Sequence, residues 1–444
     1  MFSNRDLRKL IIPLVIEQSL TSLMGTVDTM MVSRIGSAAI SGVSLVDSIN
    51  KLVIFLFTAL ATGGTVICSQ YLGRQDKADS DKAARQVLLS AFVLSLLVTV
   101  FCFGCYRWLL QVIFGTVEAD VMDAAVRYFF VTIFTYPFIA LFGAASAIFR
   151  ASGNTRLPMY ISVSCNLLNI AGNALFLFVF KLGAAGAALS TLIADALAAV
   201  VLLFFLIRSH STIEVGNPLR IRPDFRMIWL VLSIGLPTGV ENAMFQLGKL
   251  VLQSTVSTLG TTAIAANAMI AVLELFTSMP SMGIGLGLVT VVGQCMGAGK
   301  LEEAKHYIKK LTLWSFVTLF VFNWLIFALT RPVTVLAGME AASADMTVSV
   351  MLVISVCKPI LWPLAFTPCN GTRAAGDVKF TMVISTISMW VLRVGLSTLL
   401  CRFCGIGLLG IWAGYFADWA MRSVSFTLRL RGSKWHEHHL IDRV

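Results

Sequence analysis

Residues 11–33 read IIPLVIEQSLTSLMGTVDTMMVS, an apolar stretch that is long enough to cross a bilayer yet contains two carboxylates. In a helix, Glu17 and Asp28 return to nearly the same face, about 16 Å apart along the axis. A carboxylate at bilayer depth costs about 2.5–3.5 kcal/mol on insertion scales, so it normally faces a protein interior or a water-filled cavity. Two carboxylates on one face therefore predict a helix that lines a pathway for ions or cations.

The composition places the whole chain in a membrane. Of the 444 residues, 57% are hydrophobic and only 13% are charged, which is typical of a polytopic membrane protein embedded in the lipid bilayer. The net charge of +11 does not indicate a nucleic-acid partner, because the basic residues lie in short loops between apolar runs. Nine cysteines are scattered through apolar stretches, where inert buried thiols are expected.

Twelve apolar segments are long enough to span a bilayer as helices. Their approximate limits are 10–33, 43–71, 86–113, 124–149, 157–180, 185–207, 227–257, 263–295, 308–331, 346–370, 379–402 and 407–430. The predicted fold class is therefore an all-α polytopic membrane protein.

The distribution of basic residues predicts the orientation of the helices. If the spans alternate across the membrane, most of the 34 Lys and Arg residues fall on one side. By the positive-inside rule this side is the cytoplasm. We therefore expect a multi-pass protein of the cell (inner) membrane, with both termini cytoplasmic, and we expect it to be a monomer.

The two halves of the chain repeat one another. A shift of 224 residues matches distinctive residues of the first half with identical residues of the second, Pro13, Glu17 and Gly63 with Pro237, Glu241 and Gly287. Each half contains six spans, an even number, so the halves share one topology and a substrate site is expected between them. The predicted domains are an N-terminal six-helix bundle (1–208), a cytoplasmic connecting loop (209–226) and a C-terminal six-helix bundle (227–444).

Further polar residues lie inside the predicted spans. We interpret six of them as lining a substrate cavity, because charged and amide groups are costly to expose to lipid: Glu17, Glu241, Gln246, Lys249, Glu274 and Lys358. Asp195, Asp418 and Arg393 are also intramembrane, and their sequence context leaves a structural and a functional role equally open.

Asn169 and Asn173 lie one helical turn apart in span five. Such amides either join helices by hydrogen bonds or act as cation ligands beside Asp28, and spacing alone does not choose between these roles. No catalytic motif such as HExxH, GxSxG or a phosphate-binding loop is present. We therefore expect a protein that is not an enzyme, has no cofactor, and uses a gradient of H⁺ or Na⁺ if it works uphill. The WHEHH sequence near the end, residues 435–439, is expected to be a solvated tail.

Several motifs resemble those of the multidrug and toxic compound extrusion (MATE) transporters, across essentially the whole chain. They are Val27-Asp28-Thr29 followed by Arg34-Ile35-Gly36, Gln70-x-x-Gly73, and Arg150-Ala151-x-Gly153-Asn154-Thr155. The resemblance implies twelve transmembrane helices in two pseudo-symmetric six-helix bundles. It also implies a secondary active antiporter that exports organic cations or drugs in exchange for protons or sodium ions.

The same resemblance implies a cation site in the N-terminal bundle, formed by Asp28, Asn169, Asn173 and Thr191. Position 173 is often Asp in that family, so Asn173 leaves Asp28 as the one carboxylate of this site. That departure favours proton coupling over a sodium ion at Asp28. Desolvation within an apolar helix also favours the neutral acid, which enables Asp28 to exchange protons.

Two other functions compete with the antiporter. A lipid-linked oligosaccharide flippase of the same broad superfamily needs a strongly cationic cavity, whereas acidic and amide groups here balance the lysines. A receptor or scaffold without transport activity leaves the intramembrane residues Glu17, Asp28, Glu241 and Glu274 unexplained.

Overall fold

The computed structural model describes residues 1–115, 117–208, 212–216, 221–438 and 440. The regular structure in these ranges is helical and forms twelve helices, α1 to α12. They are α1 (Asn4–Ser33), α2 (Ser37–Gly73), α3 (Lys77–Phe114), α4 (Ala119–Ala151), α5 (Arg156–Val179), α6 (Ala184–Arg208), α7 (Phe225–Ser257), α8 (Thr261–Gly297), α9 (Leu301–Leu336), α10 (Ala341–Ala374), α11 (Val378–Arg402) and α12 (Leu408–Arg431).

The predicted all-α polytopic fold class is confirmed. Within the described ranges, α1 to α11 are each long and apolar enough to cross a membrane. The last helix, α12, has 24 residues and is also long enough, but it is less apolar because it carries residues such as Asp418 and Arg422. Both of these side chains are buried in the structure.

Three of the twelve predicted spans are not continuous α-helices. A 3₁₀ turn, Ile133–Thr135, interrupts α4 just before Pro137, where proline removes a backbone donor. Helix α5 ends in a π-helical segment, Ala174–Val179, and α11 contains another, Ser388–Leu396. A pattern of apolar residues does not distinguish these hydrogen-bonding registers from an α-helix.

The chain forms two compact units. The N unit comprises Leu20–Gly239, and the C unit comprises Met1–Ser19 together with Val240–Arg443. The divisions between the units fall inside α1 and α7, whereas the predicted bundles meet in the connecting loop 209–226. The reason lies in the packing of the first parts of these two helices.

Both of these first parts pack against a glycine. In the N unit, a Cβ atom at Gly63 of α2 would lie 2.5 Å from the carbonyl oxygen of Val231 in α7. In the C unit, a Cβ atom at Gly287 of α8 would lie 2.8 Å from Leu10 in α1. Gly63 and Gly287 correspond in the sequence repeat, so one close helix contact occurs once in each unit.

The connecting segment between the halves is anchored to α3 where the structure describes it. Ile213 and Val215 are buried, and the backbone N–H of Glu214 donates to Asp81 at 2.7 Å. Asp224 begins α7 by accepting from the N–H groups of the next turn, and it forms an ion pair with Lys82 at 2.5 Å. The described part of the predicted loop is thus ordered on the N unit.

The expectation of a solvated tail after α12 is wrong. Trp435 is fully buried in the C unit, and Leu440 is 5% exposed. His438 Nε2 lies 3.1 Å from the carboxylate of Asp377, which also pairs with Arg429. The indole and the ion pairs hold this segment on the protein; His439 lies outside the described residues.

Candidate functional site

Asp28 lies in the part of α1 that belongs to the N unit, and its carboxylate is bound by side-chain amides of α5. Asn173 Nδ2 donates to Asp28 Oδ1 at 2.7 Å. Asn169, one turn earlier on the same face, and Asn173 are 7% and 1% exposed. The structure thus brings the predicted amides to the predicted carboxylate.

The Asn169 amide fits between Asp28 and α6. With its nitrogen directed at Asp28, it donates to the two carboxylate oxygens at 2.9 and 3.3 Å. Its carbonyl oxygen then accepts from the backbone N–H and the hydroxyl of Thr191, at 3.2 and 3.1 Å. We favour this orientation over the reversed amide because it gives the charged acceptor more donors.

The backbone brings α5 and α6 close together at this point. The hydroxyl of Ser190 donates to the carbonyl oxygen of Asn169 at 2.7 Å. A Cβ atom at Gly172 would lie 2.4 Å from that same hydroxyl, so this approach requires glycine. The π-helical segment of α5 begins directly after Asn173, and such segments occur frequently at functional sites.

Two further carboxylates lie in the same unit. Asp47 on α2 accepts a hydrogen bond from the hydroxyl of Tyr128 at 3.3 Å and interacts with Lys51 one turn away. Asp195 lies one turn beyond Thr191 on α6. The charges of Asp28, Asp47 and Asp195 all act on the Tyr128 hydroxyl, so an acidic cluster surrounds this tyrosine.

The surroundings of Asp28 suit a proton or a hard cation. Within the described ranges, the hydrogen-bond donors to its carboxylate are uncharged amides. The Oδ1 atom of Asn173 is buried and has no hydrogen-bond partner there. Amides and hydroxyls can bind either the ionised or the protonated acid, so this arrangement holds Asp28 in both states.

The predicted cavity residues of the C unit form a different arrangement, in which carboxylates bind cations. Lys358 on α10 is fully buried, and its Nζ lies 2.6 Å from Glu274 Oε1 on α8. The hydroxyls of Thr277 and Ser278 lie 2.6 and 2.7 Å from the same nitrogen. Glu274 and Lys358 are thus one hydrogen-bonded ion pair rather than two separate cavity charges.

Glu241 forms a second ion pair in the C unit. Its carboxylate accepts from Arg373 at 2.8 Å, and both side chains are mostly buried. Glu17, the counterpart of Glu241 in the repeat, is 6% exposed and belongs to the same unit. The partner Arg373 is absent from our predicted site, although its recurrence with Arg150 in the repeat was a signal.

A third ion-pair cluster in the C unit contains residues whose role the sequence leaves open. Asp418 on α12 pairs with Arg393 on α11 and, at 2.8 Å, with Arg422 one turn along α12. All three side chains are buried. The guanidinium of Arg393 also lies 4.6 Å from the ring centre of Phe245 and 4.3 Å from that of Tyr415. These contacts favour a structural role for Asp418 and Arg393.

The remaining predicted cavity residues lie on α7 near this cluster. Lys249 is exposed, and its Nζ lies 5.2 Å from the ring centre of Phe245, a cation–π contact. Gln246 is partly buried. Whether these residues contact a substrate remains a prediction.

Comparison with known proteins identifies relatives for the entire chain. A family model described as MatE matches residues 13–175 and 237–399, two segments with the same 224-residue offset as the sequence repeat. "Uncharacterized transporter YisQ" of Bacillus subtilis is 28% identical over 95% of this chain and 93% of its own length. "Probable multidrug resistance protein NorM" of Thermotoga maritima is 24% identical over 99% of this chain and 94% of its own length.

Solved structures share the fold. The structure described as "Crystal structure of MATE in complex with MaL6" matches with a TM-score of 0.90 and 19% identity, covering 96% of this chain and 95% of the other. An "Outward-facing conformation of a multidrug resistance MATE family transporter of the MOP superfamily" matches equally well, covering 96% and 94%. These matches confirm the predicted fold of two pseudo-symmetric six-helix bundles.

Proposed function

Since the chain belongs to the MatE family of membrane transporters, we propose that it is a secondary active antiporter that exports organic cations or drugs across the cell membrane. The exchanged ion is a proton or, as the alternative, sodium. The family is one of transporters and not of enzymes. Several relatives are named as probable multidrug resistance proteins, which supports efflux rather than the flippase alternative.

The observation that carries the proposal is the carboxylate of Asp28. Neutral amides bind it in the part of the chain that the structure describes, and a buried charge without a cationic partner is costly. A proton or a coupling cation supplies that partner. Release of the bound ion restores the charge, so occupancy of this site changes the electrostatics of α1.

Proton coupling is our first choice, because the immediate ligands of Asp28 are one carboxylate and neutral groups. Asn169, Asn173 and Thr191 can donate to the ionised acid and accept from the protonated one. A sodium ion would use the same oxygen atoms, including Oδ1 of Asn173. The two couplings therefore predict the same residues but different driving gradients.

The class of the cargo follows from the acidic groups that remain without an Arg or Lys partner. Glu241 and Glu274 are each bound by a basic side chain, so they offer less attraction to a cation than isolated carboxylates would. Asp28 and Asp195 give the interior of the N unit negative charge. We propose an organic cation as cargo, an orientation with both termini cytoplasmic, and a monomer.

Transport into proteoliposomes tests this function. The protein is reconstituted, and ethidium flux is followed by fluorescence under an imposed proton gradient and, separately, under an imposed sodium gradient. We expect the proton gradient alone to drive ethidium against its concentration gradient, whereas an anionic dye of similar size is not moved. Flux that follows sodium only contradicts proton coupling, and equal transport of the anionic dye contradicts the proposed cargo.

A further inference from the structure

Asp195 in the N unit and Asp418 in the C unit occupy equivalent positions, related by a shift of 223 residues. In the C unit, Arg393 and Arg422 bind Asp418. The same shift places Ile170 and Ala199 at the positions of these arginines. The structural ion pairs that hold the carboxylate in one unit therefore cannot form in the other.

The helix register places Asp195 next to the Asp28 site. Helices α5 and α6 are antiparallel, with Asn169 opposite Ser190 and Thr191. One turn further, Asp195 of α6 lies alongside Cys165 of α5, and the charge of Asp195 acts on that thiol. Asp195 thus extends the face that carries Thr191 towards the next turn.

The groups that face Asp195 are acidic or neutral. They are Asp28 from α1, Tyr128 from α4 and Cys165 from α5. Asp47 on α2 contacts Tyr128 from the other side, with Lys51 one turn along α2. Within the described residues, Asp28 and Asp195 form no ion pair with a Lys, Arg or His side chain.

An unsatisfied acceptor indicates that the site binds something positive. Asn173 is 1% exposed, its nitrogen donates to Asp28, and its Oδ1 has no hydrogen-bond partner among the described residues. A buried polar atom without a partner is costly. Proton or cation binding at the neighbouring carboxylate offsets this cost, because it supplies positive charge or a donor to the site.

We infer that Asp195 is a second proton acceptor of the coupling site, so that Asp28 and Asp195 each take up one proton in a transport cycle. The inference rests on the proposed function. Each carboxylate takes a proton from the outer solution and returns it to the inner one, while one organic cation moves outwards. Protonation removes both negative charges and their mutual repulsion, which makes binding of the protons and of the cation mutually exclusive.

The number of protons exchanged per cargo tests the inference. The pH gradient at which net ethidium flux reverses is measured in proteoliposomes with the membrane voltage held at zero. With two protons, a tenfold ethidium gradient is balanced by about 0.5 pH unit, and with one proton by about 1 pH unit. We expect the first value for the wild type and for Asp195→Glu, and the second for Asp195→Asn.

The control variants separate the possible failures. A wild-type balance at about 1 pH unit contradicts the inference, and so does an unchanged balance in Asp195→Asn; the wild-type value decides even if the variant does not fold. Asp28→Asn should abolish flux, and full activity there overturns the proposed function itself. Asp418→Asn serves as the matched control, since it should lower stability without changing the stoichiometry of any protein that folds.

Discussion

In the C unit, the carboxylates of Glu241, Glu274 and Asp418 each contact an arginine or a lysine, whereas in the N unit two neutral amides bind Asp28. An ion pair keeps its carboxylate ionised, because protonation would leave the buried cation without its partner. Neutral donors hold either form at similar cost. The comparison indicates that one repeat unit provides fixed internal charges and the other provides a charge that can change.

The same contrast recurs at a second pair of equivalent positions. Asn50 corresponds to Glu274 at a shift of 224 residues, and Tyr136-Pro137 aligns with Lys358-Pro359 at a shift of 222. In the C unit the pair is ionic. In the N unit the Tyr136 hydroxyl donates to Asn50 Oδ1 at 2.8 Å. A neutral hydrogen bond therefore occupies the place of an ion pair.

The largest effect on stability is expected from Asp418→Asn. This change leaves Arg393 and Arg422 buried without their carboxylate, which costs about 3–5 kcal/mol. We expect a large fall in the thermal unfolding temperature of the purified protein in detergent, or loss of folded protein. Asp195→Asn at the equivalent position should unfold near the wild-type temperature; equal losses in both variants would remove the difference between the units.

A smaller loss is expected from Lys358→Met, which leaves Glu274 without its cation. The side chain of Glu274 is 26% exposed and retains a hydrogen bond from Ser278 at 3.0 Å, so the cost is about 1–3 kcal/mol. Adding Glu274→Gln to the first change should recover part of that stability, as a double-mutant cycle would show. Additive losses in the double variant would contradict a direct ion pair.

Asp224 provides an ion-paired carboxylate of the N unit that lies outside the membrane spans. Asp224→Ala removes a helix cap and the contact with Lys82, which costs about 1 kcal/mol. The hydrogen bond from Lys82, together with the N–H groups of Met227 and Arg226, holds the pKa of Asp224 below its ordinary value of 3.8.

The sign of the pH dependence follows from that lowered pKa. The folded protein binds the Asp224 proton more weakly than the unfolded chain does, so this stabilisation is fully present above pH 3.8 and is lost as the pH falls through the folded pKa. We expect the unfolding temperatures of wild type and Asp224→Ala to converge on acidification. A constant difference would assign the effect to the lost cap alone.

Much of the fold was predictable from the sequence, but the pairing of charges was not. Apolar run lengths predict the helices, and the 224-residue repeat recurs in the segments matched by the family model. Lys358 and Glu274, by contrast, are 84 residues apart, and Arg393 has no partner nearby in the sequence. Such pairs depend on which helices pack together, which periodicity does not reveal.

The candidate site shows the same division. The one-turn spacing of Asn169 and Asn173 predicts a shared face, and the family resemblance joins that face to Asp28 and Thr191. The π-helical segment after Asn173 and the burial of Trp435 depend on backbone register and tertiary contacts. Neither leaves a periodic signal in the residues themselves.

The smallest effect on stability and the largest on function are expected together at Asp28. Because amides bind this carboxylate, Asp28→Asn should change the free energy of unfolding by less than about 1 kcal/mol, while it removes the group that exchanges the coupling ion. The most direct measurement is ethidium flux driven by a proton gradient in proteoliposomes that contain Asp28→Asn, with Asp224→Asn as the matched control. The account predicts no gradient-driven flux for Asp28→Asn and normal flux for the control; full flux in a folded Asp28→Asn protein would contradict it.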